Sequence, residues 1–121
     1  MYKNNKVGAP FENMAKEYLQ KHGLNLVVSN YRCRYGEIDL IMNDDITLVF
    51  VEVRKRTSSH HGSPLETVDY FKQQKIIRTA YSYLQDSQLY ETRPCRFDVV
   101  GVTLLEGKYH LEWCQHAYEE G

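Results

Sequence analysis

The chain has 121 residues, of which 42% are hydrophobic and 26% charged, and its net charge is −1. That is the length of one ordinary domain with a globular composition, which excludes a disordered, collagen-like or disulfide-stapled chain and predicts a single domain over residues 1–121. The near-neutral balance gives no whole-molecule field to attract nucleic acid, so any such site has to be a local patch.

Met1 to Lys6 is basic but leads into no apolar stretch, so it does not read as a signal peptide. Residues 7–22 read as a helix. Phe11, Met14, Ala15, Tyr18, Leu19 and His22 recur at three- and four-residue steps, and Gly23 stands where a helix stops. Leu24 to Val28 is rich in β-branched residues and reads as a strand. Two β-rich runs follow, Tyr35 to Met42 and Thr47 to Arg54, about a polar turn at Asn43-Asp44-Asp45, which makes a hairpin.

Arg56 to Pro64 is a polar loop, and a helix is predicted from Glu66 to Gln85 with Val68, Lys72, Ile76, Ala80 and Tyr83 along one face. Arg96 to Leu105 is a strand, turned by Glu106-Gly107-Lys108 into a last strand, Tyr109 to Trp113. The order α-β-β-β-α-β-β predicts an α/β or α+β fold, with a mixed, mainly antiparallel sheet and a helix against each face or both on one. The apolar run Leu48-Val49-Phe50-Val51 is far short of the ~20 residues of a membrane-spanning helix, so no membrane partner is expected. Cys33, Cys95 and Cys114 form no C-x-x-C spacing, which speaks against zinc and for reduced thiols in a cytoplasmic protein.

The hairpin carries the chemistry. Strict alternation places Ile38, Leu40 and Met42 on one face and Glu37, Asp39 and Ile41 on the other. In the second strand Val49, Val51 and Val53 oppose Phe50, Glu52 and Arg54. A turn centred between Asp45 and Ile46 sets Asp39 opposite Glu52 and Glu37 opposite Arg54. A turn at Asp44-Asp45 shifts the register by two and makes Asp39 a diagonal neighbour of Glu52, roughly 5–8 Å away. Like charges this close are destabilising, so something positive belongs between them: a divalent cation, Arg54, or a lysine from the packed helix. Carboxylate oxygens with water select Mg²⁺ or Mn²⁺ over zinc.

Gly36-Glu37-Ile38-Asp39-Leu40-Ile41 followed by Val49-Phe50-Val51-Glu52-Val53-Arg54 resembles the YraN family of bacterial proteins. That family is similar to the PD-(D/E)xK nuclease superfamily, which has a restriction-endonuclease-like fold and includes archaeal Holliday junction resolvases. The resemblance covers most of the chain. It takes in Gly8, Glu12, Ala15, Tyr18 and Leu19, then Asn30 and Arg32, then Gly62 and Pro64. It continues through Val68, Lys72, Ala80 and Leu84, and ends with Arg96-Phe97-Asp98-Val99-Val100.

The resemblance implies a restriction-endonuclease-like core in which Asp39 and Glu52 hold Mg²⁺ or Mn²⁺, with Glu12 as a helix-borne third acid. It places Arg54 at the lysine position of the motif and Lys72 as the helical basic residue that completes the site. Ile38 stands where the motif has proline. Arginine is effectively always protonated, so Arg54 cannot be a general base; it is left to orient water or to offset charge.

Each residue also has an ordinary structural use. Glu37 pairs with Arg54 across the hairpin in one reading, and Lys72 either snorkels to the helix rim or meets the hairpin acids. Arg32, Arg34, Arg54, Lys55, Arg56 and Lys75 are candidates for phosphate contact, and with Tyr31 and Tyr35 they suit single strands or branched ends. The alternative for that stretch is a strand edge guarded by charge. His60-His61 reads as a solvated loop pair, Ser58 and Ser59 have no base partner, and Asp98 reads as a brace or as a partner of Arg96.

Three functions stand open. The first is a metal-dependent endonuclease-like protein acting on DNA more than RNA, a C2 homodimer being the commonest assembly for such enzymes. The second is a catalytically inactive nucleic-acid-binding or adaptor module of the same fold. The third is a protein-interaction domain that uses a shared face of Tyr109 and Trp113 in the last hairpin.

Overall fold

The apolar steps from Phe11 to Leu19 form helix α1, Asn4–Lys21, in a computed structural model that describes residues 4–57, 62–87 and 93–119, with side chains from residue 9. The helix stops in a left-handed turn at Gly23 (φ 97°), where Gly23 N–H donates to the Gln20 carbonyl and Leu24 N–H to that of Leu19. Glycine adopts that turn at least cost, and it lets Leu24 fold back into the core beside Leu19.

Five strands make one sheet in the order β1-β2-β3-β4-β5: β1 is Asn25–Cys33, β2 Gly36–Asp44, β3 Thr47–Arg56, β4 Cys95–Leu105 and β5 Lys108–Tyr118. β3 and β4 pair in parallel, and every other neighbouring pair is antiparallel. The parallel step is bridged by a 3₁₀ turn, Pro64–Thr67, and helix α2, Tyr70–Asp86. The mixed sheet and the order α-β-β-β-α-β-β are as the sequence predicts.

The two helices take opposite faces. Ile76, Ile77, Ala80, Tyr83 and Leu84 of α2 pack on Ile41, Leu48, Phe50, Phe97 and Val99. Ala15 and Leu19 of α1 pack on Leu40, Met42, Val49, Val51, Val100 and Val102. Each face buries side chains whose removal to alanine costs about 2–5 kcal/mol apiece.

Several expectations change in detail. The helix predicted from Glu66 to Gln85 is split, because Asp69 caps α2 by accepting from Lys72 N–H (2.8 Å). Val68 lies between the two pieces and is buried all the same. The hairpin turns between Asp45 and Ile46, the first of the two registers considered, with Asp44 opposite Thr47 and Leu40 opposite Val51, while Asn43 and Asp44 belong to β2. Asp45 supplies the positive φ (57°) that a tight hairpin needs.

β5 runs past Trp113 to Tyr118 because Asp98 holds its far end. The face shared by Tyr109 and Trp113 lies along α1: Tyr109 meets the Phe11 ring edge-on and stays 47% exposed, and Trp113 meets Tyr18 and His22. Ser58, Ser59, His60 and His61 lie outside the described residues.

Candidate active site

The β2–β3 ladder closes at Leu40 and Val51, and the candidate chemistry begins beyond that pair. There Val53 N–H donates to Asp39 Oδ2 (2.8 Å), so a side chain takes a strand donor that the neighbouring backbone does not. Strict alternation also fails here. Ile38 shares the α2 face with Ile41, while Leu40 and Met42 face α1.

The edge strand kinks in step. Tyr31 opposite Ile38 and Val28 opposite Ile41 both pack on the α2 side. Asn30, between them in the register, has a positive φ of 56°. Asparagine is one of the few residues with a side chain that tolerates this conformation. The kink sets Asp39 where groups from both helices reach it.

Three acids from three elements meet there: Glu12 of α1 (8% exposed), Asp39 of β2 (7%) and Glu52 of β3 (5%). Asp39 is the hub. Burial first, then the charge of Asp39, pushes the Glu12 carboxyl up to about 7. The same two causes push Glu52 up to about 8. Asp39 is itself raised, mainly by burial, although the Val53 N–H holds it down in part.

The side-chain amide of Asn30 faces Glu12 and favours its charged form, while Asn30 Oδ1 is buried with no hydrogen-bond partner. Lys72 Nζ lies 3.3 Å and Arg54 Nη1 3.8 Å from Glu52 Oε2. Three acids against two cations leave one negative charge over, so the cluster takes up a proton or a further cation.

The donor set fits a hard divalent ion. Magnesium typically uses one or two carboxylates and keeps several waters, so Asp39 with either neighbour suffices in kind. Among the described residues no group of three His, Cys, Asp or Glu side chains is arranged to hold a metal ion as placed. An ion at Asp39 would be held by Asp39 with Glu12 or Glu52 and by water, not by a closed protein cage.

The pairing expected between Glu37 and Arg54 does not form. Arg32 Nε takes Glu37 (3.1 Å), and Arg54 is drawn to Glu52. Arg54 is thus not held away from the acids by Glu37. Lys72 settles its own alternatives by meeting Glu52 instead of only snorkelling.

The candidate phosphate contacts divide by place. Arg32, Arg34, Lys72 and Lys75 line one cleft of about 400 Å³ with Cys33, Tyr35, Gly36, Glu37, Ile76 and Thr79. Tyr31 is turned from it, its hydroxyl near Ser82 and Asp86 and its ring against Tyr83. Lys55 leans over the Phe11 ring at 5.5 Å, on the α1 side. Arg56 is internal. It crosses above Gly101 to Glu112 (2.8 Å) and also donates to the Gly62 carbonyl (2.9 Å), with 8% of its side chain exposed. A Cβ at Gly101 would stand 2.7 Å from Arg56 Nε, so glycine makes room for the crossing. These partners take Arg56 out of the phosphate-binding set.

Asp98 is wholly buried and serves both structural uses foreseen for it. It accepts from Arg96 Nε (3.1 Å), Trp113 Nε1 (2.9 Å) and His116 N–H (2.9 Å). Sequence reasoning assigned Asn30 no role. The signal available was an asparagine inside a strand-like run, a residue type that tolerates positive φ.

With this geometry in place, comparison with known proteins is specific. The model of the uncharacterised protein family UPF0102 matches residues 11–102, which include all three acids, Arg54 and Lys72. The chain belongs to the UPF0102 family. UPF0102 is the family that the YraN resemblance pointed to. A UPF0102 protein of Ectopseudomonas mendocina (strain ymp) is 41% identical over 119 residues, covering 98% of this chain and 99% of its own. One from Coxiella burnetii (strain RSA 331 / Henzerling II) is 44% identical, covering 94% and 92%. One from Cupriavidus pinatubonensis (strain JMP 134 / LMG 1197) is 49% identical, covering 93% and 84%. The UPF0102 match stops short of β5, so the strand that answers Asp98 lies outside it.

Proposed function

We propose that the protein is a Mg²⁺- or Mn²⁺-dependent phosphodiesterase that cuts DNA internally, with Asp39 and one of its two neighbours, Glu12 or Glu52, as the ion-binding acids. The observation that carries this reading is the burial of three carboxylates around Asp39, two of them raised to about 7 and about 8. A sheet selected for stability alone gains nothing from such a cluster. Removal of an uncompensated buried charge is usually stabilising or neutral, so a ligand that needs the acids is the economical explanation.

When bound, a divalent ion supplies positive charge for a phosphoryl transition state and lowers the pKa of water beside it. The chain's own groups do the rest. Asp39 is oriented by the Val53 N–H at Oδ2 and by a carboxyl–carboxylate hydrogen bond with Glu12, whose shared proton gives way to an incoming ion. Lys72 touches Glu52 and also lines the basic cleft, so its ammonium can shift from the acid to an incoming phosphate. Arg54 stays protonated and offsets charge; it does not take a proton.

A second reading is favoured by one observation. Lys72 and Arg54 already compensate Glu52, which is what a non-catalytic nucleic-acid-binding module of this fold needs to stay folded without an ion. Labelled single-stranded, flapped, branched and duplex DNA incubated with Mn²⁺ separates the two. Cleavage is expected in the wild type, abolished by chelator and reduced at least ~100-fold in Glu52→Gln. Binding of DNA with no cleavage of any of these substrates overturns the hydrolytic reading in favour of the second.

A further inference from the structure

The basic cleft adjoins the acid cluster, and Lys72 is the cation they share. Lys72 reaches Glu52 on one side and lines the cleft on the other. The other cations of the cleft are Arg32, Arg34 and Lys75, and its one acid, Glu37, is already answered by Arg32. Arg34 lies over one face of the Tyr35 ring (5.2 Å), and Tyr35 is 39% exposed, so a partly exposed aromatic ring stands among the cations of the lining.

The cleft's shape decides what can enter. Its volume of about 400 Å³ lies at the low end of the range for small-ligand sites, which is nucleotide-sized. It is cut between the β1–β2 turn and the flank of α2, since its lining runs from Arg32 to Glu37 and from Lys72 to Thr79. A duplex presents two paired backbones around a stacked interior and cannot lower one phosphate and one base into such a slot. An unpaired strand can, by the usual combination of a positive groove and an aromatic platform.

We propose that this cleft seats an unpaired segment of DNA, with the backbone phosphate against Arg34 and Lys75, a base beside Tyr35, and the next phosphate at Lys72. The inference deepens the hydrolytic reading and rests on it for direction: the strand runs from the cleft toward Asp39 and Glu52. It makes single-stranded DNA and the unpaired arms of flaps the substrate class, and intact duplex a poor ligand.

The test is binding, measured without turnover. Fluorescence anisotropy in EDTA is read for a labelled 12-nucleotide oligothymidylate and for a 12-base-pair duplex. The single strand is expected to bind at least ~10-fold more tightly. With two phosphates met, its affinity should fall with salt at a logarithmic slope of about −1.4. Lys75→Glu and Arg34→Glu, which alter exposed side chains, should each weaken strand binding at least ~10-fold with the melting temperature unchanged. Each should also lower the slope by about 0.7. Tyr35→Ala should weaken binding with no change in slope.

Equal or tighter binding of duplex overturns the proposal, as does wild-type affinity in both charge variants. Selective strand binding that needs Lys75, together with no cleavage under any metal condition, supports the cleft and overturns the hydrolytic reading alone.

Discussion

At the scale of single residues, the acids around Asp39 give the molecule an unusual pH dependence. A carboxyl raised on folding binds its proton more tightly in the native state, so its stabilising contribution is present below the unfolded value near 4.5 and is lost as pH rises through the folded one. Glu12 at about 7 and Glu52 at about 8 therefore predict a melting temperature that falls between pH 5 and pH 9 in chelator. Mn²⁺ should restore it at the alkaline end, where the acids are ionised. Thermal melts at several pH values check this, and a flat or rising profile without metal contradicts it.

Asn30 supplies a second prediction at this scale. Its positive φ of 56° costs a β-branched residue about 1–3 kcal/mol and costs glycine little, so Asn30→Val should destabilise by that amount and Asn30→Gly by under ~1 kcal/mol. Chemical denaturation of both variants checks it. The types of the acids were legible in the sequence, and so was the approach of Asp39 to Glu52 from neighbouring strands. Asn30 was not, because backbone conformation at one residue leaves no periodic trace.

At the scale of elements, pattern and structure agree where a helix or strand buries one regular stripe. They part where a side chain replaces the backbone. The predicted helix from Glu66 lost its first turn to Asp69, whose carboxylate caps α2 at Lys72 N–H. The alternation of β2 failed at Asp39, where a carboxylate takes the Val53 donor. β5 outran its prediction because Asp98, fully buried on β4, accepts both Trp113 Nε1 and His116 N–H.

The same bonds make Asp98 the firmest joint between β4 and β5. Asp98→Ala leaves Arg96, Trp113 and His116 short of an acceptor and should cost about 3–5 kcal/mol in urea denaturation. A loss under ~1 kcal/mol would show that the joint is dispensable. The Glu37–Arg54 pair failed for a related reason. Arg32 on the edge strand lies directly opposite Glu37 in the β1–β2 register and reaches it first, which a hairpin considered without β1 does not reveal.

At the scale of the whole molecule, the sheet explains why the acids meet at all. α1 and α2 cover opposite faces, yet Glu12 comes from one and Lys72 from the other. They converge where the β2–β3 ladder ends at Leu40 and Val51 and the Asp39 side chain takes the Val53 N–H in place of a backbone partner. The order of elements and the apolar stripes were enough to read the architecture. The end of the ladder was not readable, since it depends on β1 and β2 kinking together.

No helix among the described residues is long and apolar enough to cross a membrane. On the proposed function, the charge left over around Asp39 is met by a divalent cation. Isothermal titration of Mn²⁺ at pH 8 into the wild type and Asp39→Asn tests it most directly. One site per chain is expected in the wild type, and none in the variant, whose melting temperature in chelator should be equal or higher because the amide relieves repulsion and still accepts from Val53. Equal heats in the two proteins, or no heat in either, would contradict it.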